Sequence, residues 1–218
     1  MNRWFAVSAC GEVPHGHLAH TQLLGQELVL WRSASGTFNA WENRCPHRGV
    51  RLTLGNCVGE ELRCRYHAWR FASGSGQCTH IPAHPGQRPA GTMRAQVFPA
   101  FEDGTFAWVN LTPGADSGAP ADRSVDTALR SIFANAPVEL IRQVLLRGYA
   151  DQPVDRLDEF TLSVAALDLQ FMLQPVTDAQ TIIHARLHRD VNAAERLPVL
   201  RHHNGLMSAA RDLAEAAS

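Results

Sequence analysis

The segment Arg44–Phe71, RCPHRGVRLTLGNCVGEELRCRYHAWRF, holds Cys45 and His47 with one residue between them, and Cys64 and His67 with two. Sixteen residues separate His47 from Cys64. Each fragment fits a tight loop that aims both side chains at one point. Thiolate and imidazole are both metal donors, and two chemistries use two of each. One is a closed, tetrahedral zinc site. The other is a two-iron, two-sulfide cluster, with two thiolates on one iron and two imidazoles on the other. Either would dictate how the surrounding chain is built.

The chain around this segment is of ordinary composition. With 218 residues it can bury one good core or two small ones. A formal net charge of −1 gives no reason to expect a nucleic acid or an anionic membrane as partner. No apolar run approaches the roughly 20 residues that span a bilayer. The start, MNRWFAVSACGEVPHGH, shows neither a basic leader nor an apolar signal core, so a cytoplasmic location is expected. Five cysteines is an odd number, and a reducing compartment disfavours disulfides.

From Trp4 to Leu111 the sequence reads as short strands between turns. ELVLW and TFNAW flank the turn Ser33–Gly36, FASGSGQC forms another turn, and TFAWVNL follows Asp103-Gly104 as a late strand. This predicts a mainly β unit over 1–111, a small antiparallel sandwich or barrel. Residues 112–123, TPGADSGAPADR, read as a linker. Beyond it, Ser124 is placed to cap a helix through Asn135, with Val125, Leu129, Ile132 and Phe133 on one face. Pro137 opens a second helix that ends at Gly148 and buries Leu140, Ile141, Val144 and Leu145. EFTLSVAAL, LQFMLQPV and QTIIHARLH read as three antiparallel strands, and a helical tail from Asn192 is expected to break near Pro198 and Gly205. Residues 124–218 are thus expected to form a small α+β unit with an antiparallel sheet and a terminal helix.

The flanks of the four donors separate the two metal chemistries. Arg48-Gly49 follows the first pair, Ala68-Trp69 the second, with Gly74, Gly76 and Pro82 further on. This pattern resembles the Rieske domain of the Rieske non-haem iron oxygenases, of the vanillate and dicamba demethylase type, whose loops read roughly C-P-H-R and C-x-Y-H-x-W. The likeness continues through GQCTHIP and AWVN and covers residues 4–111. It implies a Rieske [2Fe–2S] cluster in which Cys45 and Cys64 hold the inner iron and His47 and His67 the outer one, near the surface. Two neutral imidazoles in place of two thiolates raise the potential above that of an all-cysteine cluster. Rieske proteins of respiratory complexes carry an additional cysteine in each loop. The matching positions here are Val50 and Tyr66, which points to the lower-potential oxygenase type. Cys10, Cys57 and Cys78 read as packed thiols rather than ligands. Trp31, Trp41, Trp69 and Trp108 read as core or loop packing, and His15, His17, His20, His80 and His84 as surface or loop residues.

A family α subunit also needs a mononuclear iron on two histidines and a carboxylate. The family's D/N-x-x-H-x-x-x-x-H motif does not occur in residues 112–218, and YADQPVDRLDEF has the acidic residues without a histidine. The C-terminal unit therefore reads as a shortened remnant of an oxygenase catalytic domain. His184, His188 and Asp190 are the substitute candidates. On a strand, His184 and His188 would stand about 13 Å apart, too far to share an ion. His202 and His203 are adjacent and diverge.

The resemblance implies an electron-transfer component or subunit of an oxygenase system. Its donor would be a flavin-dependent reductase or a ferredoxin, and its acceptor a partner's mononuclear iron. A short active aromatic hydroxylase or demethylase, and a redox sensor or assembly subunit, are the alternatives. A sheet stripped of covering structure is also expected to expose an apolar face and so to associate, with an oxygenase chain or with another copy.

Overall fold

The computed structural model describes residues 2–115, 126–149 and 152–217; the side chains of 193–196 and 206 are not considered. Part of the expected linker (116–123), with Ser124 and Val125, lies outside the described residues. The first half runs β1 Phe5–Ala9, β2 Leu18–Leu23, β3 Gln26–Arg32, β4 Phe38–Glu42, β5 Asn56–Val58, β6 Glu61–Arg63, β7 Arg70–Ala72, β8 Cys78–His80, β9 Val97–Phe98, β10 Ala100–Glu102 and β11 Phe106–Val109. These strands pair into three antiparallel sheets, β1-β11-β10, β2-β3-β4-β9 and β5-β6-β7-β8. The expected hairpin about Ser33–Gly36 joins β3 and β4, with Arg32 opposite Phe38.

Two of these sheets close on a small core. Val29 and Trp31 of β3 and Trp41 of β4 meet Leu62 and Phe71 of β6 and β7, with Leu52, Ile81 and Ala95. Trp31 and Trp41 are fully buried and cross edge to face at 5.0 Å. Large aromatic rings bury much surface for few torsions, which suits a domain with short strands. The expectation of core packing holds for both.

The second half runs β12 Thr127–Ala128, β13 Ile132–Ala134, α1 Val138–Gly148, β14 Asp155–Arg156, β15 Thr161–Val164, β16 Leu169–Thr177, β17 Gln180–Leu187 and α2 Ala193–Ala216. The three expected strands are β15, β16 and β17, and α1 starts after Pro137 as expected. Two expectations fail. Residues 127–128 and 132–134 are strand, not helix: β12 and β13 pair with β17, and Ile132 and Ala134 are buried while Phe133 between them is exposed. That alternation has period two, and the partner strand decides it over local propensity. The terminal helix is also unbroken across Pro198 and Gly205. Pro198 lies in its second turn, so the missing N–H removes a single bond, to residue 194.

The sheet β12/β13-β17-β16-β15-β14 is covered on both faces, contrary to the expected exposed apolar side. Leu169, Phe171 and Leu173 of β16 and Ile183, Ala185 and Leu187 of β17 pack with Ile141 and Leu145 of α1 and Met207, Ala210 and Ala214 of α2. The alternate residues face the first half. Met172 packs with Ala6 and Phe106, and Gln174 Nε2 donates to Thr21 Oγ1 at 2.9 Å and to the Gln22 carbonyl at 2.8 Å. The tip of the β2–β3 hairpin is tied to β16 through Leu24 N–H to Pro175 C=O at 2.7 Å and Gly25 N–H to Val176 C=O at 2.8 Å. Strands buried on two faces cannot show a clean apolar–polar alternation, and here the second face is polar but hydrogen-bonded.

The strongest tie between the halves is a buried ion pair. Arg186 Nη1 donates to Asp103 Oδ2 at 2.6 Å, and its Nε donates to Gln170 Oε1 at 2.8 Å. Asp103, in the β10–β11 turn, also accepts from the Thr105 and Phe106 amides and from Trp108 Nε1. Burial pushes its carboxyl up, but those amides and Arg186 outweigh it and hold the group below its usual range. Asp103→Asn strips Arg186 of this partner and leaves Asp126 as its nearest carboxylate, 3.7 Å away. The expected cost is about 3–5 kcal/mol in urea unfolding, and a loss below about 1 kcal/mol would remove the pair from this role.

His184 supplies a second test. Ser131 Oγ lies 2.8 Å from its Nδ1, and Gln174 Oε1 lies 2.8 Å from its Nε2. Because the Gln174 amide nitrogen already donates elsewhere, its oxygen accepts from His184 Nε2–H, and Nδ1 accepts from the serine hydroxyl. This is a neutral imidazole. Burial holds its pKa down to about 3 from 6.5. Between those values the unfolded chain binds a proton that the folded chain refuses. Stability is therefore full above pH 6.5 and falls as pH drops toward 3, by up to about 1.4 kcal/mol per unit. Urea midpoints from pH 7 to pH 4 should fall more steeply in the wild type than in His184→Gln; parallel lines would contradict the assignment.

Candidate metal centre

Cys45 and His47 lie in the loop between β4 and β5, and Cys64 and His67 in the turn between β6 and β7. The two loops close alike. Cys45 N–H donates to Val50 C=O at 2.8 Å, and Gly49 N–H donates back to Cys45 C=O at 2.8 Å. In the second loop, Cys64 N–H donates to Trp69 C=O at 2.9 Å, and Ala68 N–H to Cys64 C=O at 3.1 Å. The residue before the closing position is left-handed in both, Gly49 at φ +73° and Ala68 at φ +55°. Glycine takes this conformation freely, whereas alanine bears a cost of about 1 kcal/mol. Histidine is the third residue of the first loop and the fourth of the second, so the unequal spacings serve equal loops.

The loops sort the four donors into two pairs. Cys45 and Cys64 are both 97% buried, and their thiols are hydrogen-bonding neighbours. His47 and His67 meet at the surface, ring centroids 4.8 Å apart, His47 half-buried and His67 exposed. Among the described residues, no three His, Cys, Asp or Glu side chains converge on one ion position. A tetrahedral zinc would draw all four donors to one point at about 2.0–2.3 Å. Thiols inside and imidazoles outside suit two metal positions in line, which is the demand of a mixed two-iron cluster. All five cysteines are free thiols, and Val50 and Tyr66 stand at the positions of the additional cysteines.

The surroundings hold these side chains in place. Trp69 stacks on His47 with centroids 4.2 Å apart and planes 10° from parallel. Tyr66 lies 3.9 Å from the His67 ring. Burial pushes the Cys45 thiol up to about 11, with the Cys64 sulfur adding to it and the His47 and Arg48 amides acting the other way. Those amides are already aimed at the sulfur, and hydrogen bonds to sulfur tune such centres. Burial, then the His67 and Arg48 charges, lower the His47 pKa, which favours the neutral imidazole a metal requires.

The other candidates are accounted for otherwise. Cys10 is pushed up to about 12 by burial and by Glu102, and Cys57 up to about 11 by burial. Cys78 is buried beneath the loops and is raised by the same cause. These are protonated, packed thiols, as expected. His184 is committed to Ser131 and Gln174, His188 Nδ1 pairs with Asp126 Oδ2 at 3.0 Å, and Asp190 is exposed. The three do not converge. His84 is an exposed loop residue, as expected, and shares a cleft of about 440 Å³ with His47, His67, Trp69 and Met93. No spacing signals that place, because the loop 81–94 brings it there. Sequence reasoning underrated Trp69, whose place directly after the second loop was the available clue.

Comparison with known proteins agrees with this geometry. Residues 3–99 match the Rieske [2Fe-2S] domain family. The chain is 42% identical over 153 residues to the oxidoreductase NdmD of Pseudomonas putida, covering 66% of this chain and 26% of that protein. It is 33% identical over 156 residues to the oxygenase component of dicamba O-demethylase from Stenotrophomonas maltophilia, covering 69% and 44%. The chain thus spans less than half the length of these curated relatives. The crystal structure of dicamba monooxygenase bound to dicamba superposes with a TM-score of 0.77 at 18% identity, over 99% of this chain and 86% of that one, which shows a shared fold. No helix among the described residues is long and apolar enough to cross a membrane. The chain therefore carries a Rieske [2Fe-2S] domain, the kind that binds a two-iron, two-sulfide cluster, and its relatives include components of Rieske non-haem iron oxygenases.

Proposed function

We propose that Cys45 and Cys64 hold the inner iron and His47 and His67 the outer iron of this cluster, and that the chain is an electron-transfer component of a Rieske oxygenase system. In this reading residues 1–111 are the Rieske domain, 112–123 a linker, and 124–218 a shortened α+β remnant of an oxygenase catalytic domain. The chain takes electrons from a flavin-dependent reductase or a ferredoxin and passes them to a partner's mononuclear iron. The carrying observation is the sorting of the donors into a buried thiol pair and a surface imidazole pair. The cluster, when bound, supplies one-electron chemistry at a potential set by its mixed ligands. The chain's own part is to exclude water from the sulfurs, to aim the His47 and Arg48 amides at Cys45, and to present the imidazole edges to solvent. Consistent with a carrier, the His184 side chain, a candidate for a second iron, is a neutral, fully hydrogen-bonded group in the seam between the halves.

One observation favours the alternative of a short active oxygenase acting on an aromatic substrate. A cavity of about 460 Å³ lies between α1 and α2, lined by Leu140, Val144, Tyr149, Ala210 and Leu213. Its volume suits a small aromatic molecule, and the Tyr149 hydroxyl is buried without a hydrogen-bond partner among the described residues. An oxygenase, however, also needs three protein ligands on one iron.

Two measurements decide. The reduced protein should give the low-average-g paramagnetic signal of a mixed His/Cys two-iron centre. His47→Ala and His67→Ala should each abolish or alter it, while Cys57→Ser and Cys78→Ser keep it; loss in either serine variant would overturn the ligand assignment. Iron after anaerobic reconstitution should be two per chain in both wild type and His188→Ala. Three in the wild type, with oxygen-dependent turnover of an added aromatic substrate, would favour the oxygenase.

A further inference from the structure

The charge of the chain is unevenly spread. Residues 44–94 hold eight arginines against two glutamates, while the remainder holds twelve arginines against nineteen acidic residues. A chain of formal net charge −1 therefore concentrates positive charge around the two donor loops. Every cation in it is arginine, the side chain whose planar fork matches a carboxylate.

The fold brings this charge to one face. Arg44, Arg48 and Arg94 line a cleft of about 480 Å³ together with His47, with Glu42 as its one carboxylate. Arg65 is exposed two residues before His67, and Arg88 is exposed on the loop that walls the neighbouring cleft. Among the described residues none of these five arginines is in an ion pair. Arg51 and Arg70, slightly further out, are paired with Glu27 and Glu61.

On the other side of His47 the surface turns apolar. Trp69, Ile81, Pro82, Ala83 and Met93 line the cleft that holds both cluster-side histidines. Tyr66 is 59% exposed and Met93 37% exposed beside it. An apolar centre with a charged rim, rich in Arg, Tyr, Trp and Met, is the anatomy of a protein interface. A small anion would have no use for the apolar cleft. Electron-transfer encounters bury little area, so their rates lean on steering by opposite charge.

We infer that this face receives an acidic electron-transfer protein, its carboxylates meeting Arg44, Arg48, Arg65, Arg88 and Arg94 while its apolar centre covers Tyr66, Trp69 and Met93. The inference rests on the electron-transfer reading and names the chemistry of the partner that the reading requires.

The test is binding, measured by calorimetric titration of the cluster-loaded chain with an acidic plant-type [2Fe–2S] ferredoxin and, in parallel, with basic cytochrome c. The ferredoxin should bind, and its affinity should fall at least about tenfold between low and moderate salt. Arg65→Glu combined with Arg94→Glu should weaken it by about tenfold or more, and the same positions changed to Lys should keep it within about threefold. Equal or tighter binding of cytochrome c, no loss in the glutamate variant, or tighter binding of a short single-stranded RNA than of ferredoxin would each overturn the inference. The paramagnetic signal, recorded on the same samples, reports separately on the cluster. A chain without that signal that still binds ferredoxin in this salt-dependent way would refute the electron-transfer reading while leaving the acidic-partner surface supported.

Discussion

Two short hydrogen-bonded loops govern this molecule. Each is closed by the amide and carbonyl of its own cysteine, and each turns through one left-handed residue, Gly49 or Ala68. Because the closures are the same, the histidines can sit one place apart in sequence and still meet at 4.8 Å. The loops in turn rest on Trp31, Trp41 and Phe71, all fully buried, so their shape is fixed by a packed core as well as by metal. Holding donors before the metal arrives reduces the ordering cost that binding must offset.

The second half depends on the first for more than attachment. Its central strands β16 and β17 send one set of side chains under the helices and the other into the Rieske half. That second set includes Gln174, His184 and Arg186, which would be costly buried polar groups without partners. Thr21, Asp103, Ser131 and Asp126 supply them. The polar contacts that cross between the halves, Gln174 to Thr21 and Gln22 and Arg186 to Asp103, would be lost together if the halves slid.

What the sequence made legible follows from how local each signal is. The donor motif, the hairpin about Ser33–Gly36, α1 after Pro137 and the β15–β17 meander are all set by neighbours within a few residues. Residues 127–134 were misread because Leu129, Ile132 and Phe133 also fit a helical face, and only pairing with the distant β17 resolves 127–128 and 132–134 as strand. The expected bare sheet face failed for a similar reason. Nothing in QTIIHARLH says that His184 and Arg186 meet groups on Phe106, Asp103 and Ser131, since those partners lie 53 to 83 residues away along the chain where they form hydrogen bonds. The place of His84 beside the imidazole pair was invisible as well, because a loop rather than a spacing carries it there.

Net charge misled in the same way. A total near zero says little about the field at any one place, because screening confines each charge to a radius of about 8–10 Å. Around the donor loops the arginines of residues 44–94 outnumber the carboxylates, and Glu42 is the one carboxylate lining the cleft with Arg44, Arg48 and Arg94. The acidic residues in the seam are already spent: Asp103 and Asp126 neutralise Arg186 inside the protein and contribute little outside it. The second half is thus tied to the Rieske domain through the buried Arg186–Asp103 pair, and the Rieske domain keeps a surplus of arginine around its donor loops. One division of charge serves both cohesion within the chain and recognition beyond it.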